Sequence, residues 1–306
     1  LQEDAPMTDR SLENRVVIVT GAGRGLGLAY ALDLAARGAS VVVNTRPRSA
    51  GQPASAEGVA ERIVAAGGRA VACALAVEAP DAGDRLLAAA LEAFGRIDGL
   101  VNNAGVPEAM SLHKQTIDQV RGVFDINFFG TLTATLPIYR HMREQGSGRI
   151  VMTTSAAGLH GVHGMAAYSA SKAAVIGLMR VIALEGASKG VHANAVAPYA
   201  LTGMTENYVD DATAAAMPAE LVAPVVSWLV SEGCPLNGET LVAGAGRVRP
   251  AYRIEGPGLD FGTDPAIPLA RFDMAREAMM SAVGWTRPSD GNTAFEEFLA
   301  AKPALA

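Results

Sequence analysis

Tyr168 and Lys172 stand four residues apart in "AAYSASKAAV" (166–175), a spacing that puts both side chains on one face of a helix. A phenol is a weak acid, with an ordinary pKa of about 10. An ammonium beside it favours the phenolate and lowers that pKa. Ser155 closes the apolar run "GRIVMTTS" (148–155) and adds a hydroxyl that can donate to a substrate oxygen without titrating. Such a trio can move a proton on or off a substrate hydroxyl while a hydride moves at the carbon bearing it. Each residue alone has a plainer role, as a surface Tyr, a solvated Lys or an N-cap Ser.

A hydride needs a carrier, and "RVVIVTGAGRGLG" (15–27) offers a place for one. A buried-strand run ends at Thr20, and a helical period begins within the glycines Gly21, Gly23, Gly25 and Gly27. Strand, glycine turn and helix start in that order form the context of a dinucleotide fingerprint. The helix start presents free N–H groups and the positive end of its dipole to a pyrophosphate. Without such a ligand the same glycines would only mark a tight strand–helix turn.

These groups have to be positioned by something, and the remaining sequence supplies it. Apolar runs of strand length recur at 15–20, 40–45, 69–77, 97–105, 148–156, 191–198 and 239–246. Helical stretches lie between them, at 25–37, 57–66, 81–94, 115–145, 166–188 and 219–232. Near-continuous apolar strands alternating with helices predict a parallel sheet covered on both faces. The expected fold is therefore α/β, a single doubly wound Rossmann-type domain of about seven strands over 15–246. Residues 1–14 are expected to be a disordered or partly vector-derived segment, with Met7 as the native start. From 247 the composition turns to Pro, Gly and Arg, with helical stretches near 270–282 and 292–300. That predicts a C-terminal extension over 247–306, packing on the domain or on a partner subunit.

Bulk properties narrow the function classes. The formal net charge is -6, from 25 basic and 31 acidic residues in 306, which argues against a nucleic-acid binder. Two cysteines, Cys73 and Cys234, make neither a disulfide framework nor a metal-ligand spacing. His160 and His163 have no accompanying ligand cluster, so no metal is expected. No run of 18 or more apolar residues and no signal peptide is evident, and the expected setting is cytoplasmic, with no membrane partner.

The chain resembles the short-chain dehydrogenases/reductases. "TGAGRGLG" (20–27) matches the family's glycine loop, "NNAG" (102–105) its Asn-Asn-Ala-Gly motif, and "YSASK" (168–172) its Tyr-x-x-x-Lys, with Ser155 at the family's serine. Asn127, in "FDINFFG", stands where the family often has an asparagine that holds a proton-relay water. The resemblance implies Asn127, Ser155, Tyr168 and Lys172 as the catalytic set. It implies a nicotinamide dinucleotide held by Gly21, Gly23, Arg24, Gly25, Leu26, Gly27, Thr45, Arg46, Leu75, Ala76, Asn103, Ala104, Gly105, Tyr168, Lys172 and Pro198. A narrower similarity, carried by 16–44, 167–198 and 220–246, is to the (3R)-hydroxyacyl-CoA dehydrogenase domain of peroxisomal multifunctional enzymes and related 17β-hydroxysteroid dehydrogenases. It continues into the tail after Gly246. The substrate is then a bulky apolar alcohol or ketone, such as a 3-hydroxyacyl-CoA or a hydroxysteroid. Loop residues Met204, Tyr208 and Met217 would cover it. Arg247, Arg249 and Arg253 are either a CoA phosphate contact or a solvated basic stretch. Family members pair two long helices across a two-fold axis, which implies a homodimer or homotetramer.

Departures from the family pattern fall on the adenosine half of the cofactor. NAD-preferring relatives carry an acidic residue at the end of the second strand, where this chain has Thr45 followed by Arg46. Their aspartate after the third strand aligns with Leu75, and Pro198-Tyr199 replaces a Pro-Gly. NADP(H) is therefore expected over NAD(H), with Arg46 and Arg24 at the extra phosphate. The alternative class is a non-catalytic dinucleotide-binding sensor or scaffold. Such proteins usually lose the tyrosine or the lysine, and both stand here.

Overall fold

Short β-branched runs become strands with both faces covered. In order, the elements are β1 (Val16–Val19), α1 (Gly25–Ala36), β2 (Ser40–Thr45), α2 (Ala56–Ala65), β3 (Arg69–Ala74), α3 (Ala82–Phe94) and β4 (Gly99–Asn102). They continue with α4 (Ile117–Phe124), a π-helical turn (Asp125–Phe129), α5 (Gly130–Gln145), β5 (Gly148–Thr153), α6 (Ala156–His160), α7 (Ala166–Ala187) and β6 (Val191–Tyr199). Last come α8 (Asp211–Ala216), α9 (Ala223–Leu229), β7 (Thr240–Gly244), β8 (Arg247–Pro250), α10 (Leu269–Met279) and α11 (Gly291–Ala300). The computed structural model describes residues 10–47, 54–201, 210–261, 266–281 and 283–300. The chain divides into two compact units, 1–250 and 251–306, each described by itself.

In the first unit the strands form one sheet in the order β3-β2-β1-β4-β5-β6-β7-β8. All neighbours are parallel except β7 and β8. Alternation along each strand sends side chains to opposite faces. Val17 and Val19 join the α1 and α9 side with Tyr30, Leu34 and Val226. Val16 and Ile18 join the side of α3, α5 and α7 with Leu86, Ile138 and Met179. Chain order reverses between β1 and β4, which makes a crevice at the C-terminal ends of the strands, where doubly wound sheets bind ligands. Thr20, Asn102 and Ser155 all come to that edge.

The expected sheet of about seven parallel strands stands, and among the described residues Arg247–Pro250 adds an eighth strand as an antiparallel edge beside β7. The described part of the N-terminal segment is ordered: Leu12 is fully buried and its N–H donates to the Arg37 carbonyl. Residues 1–9 lie outside the described residues. The helix expected over 115–145 runs from 117 to 145 but passes through the π-helical turn at 125–129, and the one expected over 219–232 narrows to a short 3₁₀ turn followed by α9. Ala166–Ala187 is, by length and composition, apolar enough to cross a membrane. Its Val175, Ile176, Met179 and Ile182 are instead buried with Ile150 of β5 and Ala193 of β6.

The second unit contains α10 and α11, neither of which buries a residue. Within it Glu255 pairs with Thr286, Phe261 packs on Phe272, and the Arg287 guanidinium lies 3.8 Å over the Tyr252 ring.

Candidate active site

The glycine turn is built by its neighbours. Thr20, buried at the end of β1, accepts hydrogen bonds on its hydroxyl from the Asn103 and Ala104 N–H groups, at 3.0 and 3.1 Å. The Asn103 amide nitrogen donates to the carbonyls of Thr20 and Gly21, at 3.1 and 3.2 Å. The ends of β1 and β4 are thereby locked together. Gly21 has φ +65°, and a Cβ there would stand 2.8 Å from Ala104 Cα. A Cβ at Gly27 would run into the Gly21 carbonyl oxygen. Both glycines are demanded by the turn's closeness to itself. The result is that α1 begins at Gly25, after Arg24, with no side chain capping its first turn. Uncapped N–H groups at the start of a 12-residue helix, set on the crevice, fit a pyrophosphate.

On the α2–β3 side of this turn, Thr45 ends β2 and is nearly buried, its Oγ1 beside Gly23. Asn44 beneath it donates to the Cys73 and Leu75 carbonyls, at 2.9 and 3.1 Å. Leu75 is buried in the core with hydrocarbon neighbours, and Ala76 follows it half-buried. The Arg24 side chain is exposed. Arg46 is ion-paired with Glu78, from the segment after β3, at 2.5 Å. That partner was not expected from the sequence.

At the other end of the crevice Ser155, Tyr168 and Lys172 converge. Ser155 caps α6, its Oγ accepting from the Ala157 N–H at 3.1 Å, and it also hydrogen-bonds the Tyr168 side chain. Tyr168 and Lys172 project from α7, with the Lys172 Nζ 5.9 Å from the centre of the Tyr168 ring. Lys172 is 4% exposed and donates to the Thr153 carbonyl at 2.8 Å. Burial depresses its pKa to about 8. The lowered phenol pKa expected from the neighbouring ammonium is corrected: burial raises the Tyr168 phenol above its ordinary value, and it is the bond to Ser155 that pulls the other way. As it stands, the site holds a protonated phenol beside a lysine with an easily lost proton.

Asn127 lies in the π-helical turn and is fully buried. Its Oδ1 accepts from the Val106 N–H at 2.8 Å, and its Nδ2 donates to the Val106 carbonyl at 3.0 Å and to Ser171 Oγ at 3.1 Å. Ser171 Oγ in turn donates to the Tyr168 carbonyl, at 2.8 Å. The Asn127 side chain therefore ties Val106, just past Gly105, to the helix of Tyr168 and Lys172. A Cβ at Gly105 would crowd Asn127 Oδ1 at 3.1 Å and Lys172 Nζ at 3.3 Å. Pro198 is half-buried at the end of β6, and Tyr199, which replaces a glycine of the family pattern, is exposed and pairs with Gly244.

Thr153, Thr154 and Ser171 are further parts that sequence reasoning passed over. Thr154 Oγ1 donates to the Lys172 carbonyl at 2.7 Å, so two successive residues of one strand end grip the lysine's head and its backbone. Their nearness to Ser155 and Lys172 in the chain was the available signal. Met204 and Tyr208 lie outside the described residues. Met217 is described, its carbonyl accepting from the Leu201 N–H. Arg247 and Arg249 lie exposed on β8, and Arg253 belongs to the second unit. His160 and His163 are exposed, and among the described residues no group of His, Cys, Asp or Glu could hold a metal ion.

Residues 15–213 match the family described as short chain dehydrogenase. The peroxisomal multifunctional enzyme type 2 of Mus musculus is 40% identical over 76% of this chain, which spans 32% of that enzyme's length. A 3-oxoacyl-[acyl-carrier-protein] reductase of Synechocystis is 44% identical over 64% of this chain and 78% of its own. Among solved structures, a short chain dehydrogenase from Mycobacterium avium superposes with a TM-score of 0.78 at 35% identity. That match covers 88% of this chain and 96% of that one.

Proposed function

The chain belongs to the short-chain dehydrogenase family, and on that premise we propose that it interconverts a secondary alcohol and a ketone, with Tyr168 as the proton-transfer group. The observation that carries this reading is the convergence of Ser155, Tyr168 and buried Lys172 on the strand edge that holds the uncapped glycine turn. A bound nicotinamide dinucleotide supplies or accepts the hydride. Ser155 donates to the substrate oxygen and, through its bond to Tyr168, sets the phenol beside that oxygen. Tyr168 delivers its proton to the oxygen in ketone reduction and takes it back in alcohol oxidation. The Lys172 ammonium makes the phenolate left behind less costly. Asn127 is a positioning residue that ties Val106 and Ser171 together under the site.

Protonation gives this mechanism a testable direction. Reduction needs the phenol protonated and Lys172 charged. Burial raises the phenol and depresses the lysine to about 8, so the lysine titrates first as pH rises. Ketone reduction should hold level on the acid side and fall as pH rises through about 8. Initial rates across that range check it, and a reduction rate that climbs through the same range would contradict it.

The substrate class we propose is a 3-oxoacyl or 3-hydroxyacyl thioester, supported by the reductase and multifunctional-enzyme relatives. Turnover assayed against acyl-CoA, steroid and small cyclic ketones tests it. Preference for the small ketones over the acyl thioesters would count against it.

The preferred cofactor in this proposal is NADP(H). Thr45 leaves no carboxylate to bond the ribose hydroxyls of NAD or to repel a 2′-phosphate. Thr45→Asp is expected to shift the ratio of kcat/KM for the two cofactors toward NAD(H) by about tenfold, the equivalent of ~1.4 kcal/mol. An unchanged ratio would mean that position 45 does not face the ribose.

A homo-oligomer completes the proposal. Leu136 of α5 and Val181 and Leu184 of α7 remain 40–53% exposed although both helices already bury another face on the sheet. Light scattering at micromolar concentration should give at least twice the mass of one chain. A mass equal to one chain would remove this part of the reading.

A further inference from the structure

The family pattern places carboxylates at two adenosine-side positions, and this chain has neither. One is Thr45 and the other is Leu75, both nearly buried. A carboxylate nevertheless reaches this region from a third position. Residues 75–78 continue past the end of β3, whose Ala74 lies opposite Thr45, so sheet register carries Glu78 up to Arg46. Glu78 Oε1 is ion-paired with the Arg46 guanidinium. Its second oxygen, Oε2, is buried with no hydrogen-bond partner. The Arg46 side chain is half exposed, so its guanidinium is open to solvent beside the pair.

We infer that Glu78 is a specificity-determining residue that restrains recognition of a 2′-phosphate by holding Arg46. This rests on the dehydrogenase reading above and refines its cofactor preference. Two effects act in the same direction. A 2′-phosphate must compete with Glu78 for Arg46, and winning it leaves a carboxylate unpaired. That carboxylate then stands close to the phosphate with like charge. NAD has no group that calls on Arg46, so its binding leaves the pair intact. Glu78 therefore narrows a preference for NADP(H) that Thr45 opens. An amide at 78 keeps the shape and removes both the competition and the repulsion.

Calorimetric titration of NADP+ and of NAD+ into the full chain reads this without turnover. Glu78→Gln is expected to tighten NADP+ by about three- to tenfold, the range set by an exposed ion pair and one like-charge contact. NAD+ should keep its wild-type affinity. The gain should shrink as salt is raised. Arg46→Gln should weaken NADP+ much more in the Glu78→Gln background than in the wild type, because only there is the guanidinium released. Glu78→Asp, which keeps the charge, should leave NADP+ at or near its wild-type affinity and guards against a fold defect in the amide variant. An NADP+/NAD+ affinity ratio unchanged by Glu78→Gln, or equal shifts for both cofactors, would overturn the inference while leaving the dehydrogenase reading intact. Failure of the wild type to bind either cofactor would instead overturn that reading, and this inference with it.

Discussion

Tyr168→Phe is expected to lower turnover by about 10²–10⁴-fold, the span of a lost general acid–base group, with cofactor affinity unchanged. The substitution keeps the ring, which packs within α7 beside Lys172, and removes only the hydroxyl. The bond between Ser155 and that hydroxyl is lost, but Ser155 still accepts from the Ala157 N–H and stays in place. Lys172 is held by the Thr153 carbonyl and not by the phenol, so it does not move either. What disappears is the proton route to the substrate oxygen. Steady-state rates beside a calorimetric Kd separate this from a folding or binding defect. Near-normal turnover in a variant that binds cofactor would falsify the assignment.

Lys172→Met should abolish most activity and, unlike the tyrosine variant, stabilise the fold. The ammonium is buried, and the hydrogen bond the structure records for it is to one backbone carbonyl. Burial depresses its pKa from 10.5 to about 8, which means the folded state disfavours the charged form. Methionine fills a similar volume without that penalty, at the cost of leaving the Thr153 carbonyl unpaired. The expected net gain is about 0.5–2 kcal/mol. The sign with pH follows from proton counting. Between about 8 and the ordinary value of 10.5 the unfolded chain binds more protons at this site than the folded one, so this group's contribution to stability rises with pH there. The advantage of Lys172→Met should therefore be largest below about 8 and shrink above it. Cofactor affinity should fall as well, because Lys172 is among the residues that the family resemblance places on the nicotinamide dinucleotide. Chemical denaturation of both proteins at several pH values checks the sign. A variant less stable than the wild type below that range would show that the lysine supports the fold instead of burdening it.

The convergence of Ser155, Tyr168 and Lys172 was legible because these residues are read locally. Tyr168 and Lys172 need only helical spacing, and Ser155 only the end of an apolar run. The glycine turn was legible for the same reason, although Gly21 and Gly27 prove to be required first by the turn's packing on Ala104 and on itself. The seven parallel strands followed from alternating apolar runs. β8 did not, because its "RVRP" is exposed along its length and an edge strand needs no apolar pattern. The π-helical turn around Asn127 was hidden because one extra residue in a helix leaves the apolar period nearly intact, so a single long helix was expected. The Arg46–Glu78 pair was invisible for a different reason. It joins two segments that only sheet order brings side by side, and neither residue belongs to a motif.

The most direct test of the proposed chemistry is to supply the reduced cofactor with both hydrogens of its hydride-donating carbon replaced by deuterium, with a 3-oxoacyl thioester as acceptor, and to weigh the product. Expected is a secondary alcohol one mass unit heavier than that formed from unlabelled cofactor, made by the wild type and almost absent with Tyr168→Phe. Product without the label, or labelled product formed equally by the wild type and Tyr168→Phe, would contradict a Ser155–Tyr168–Lys172 oxidoreductase.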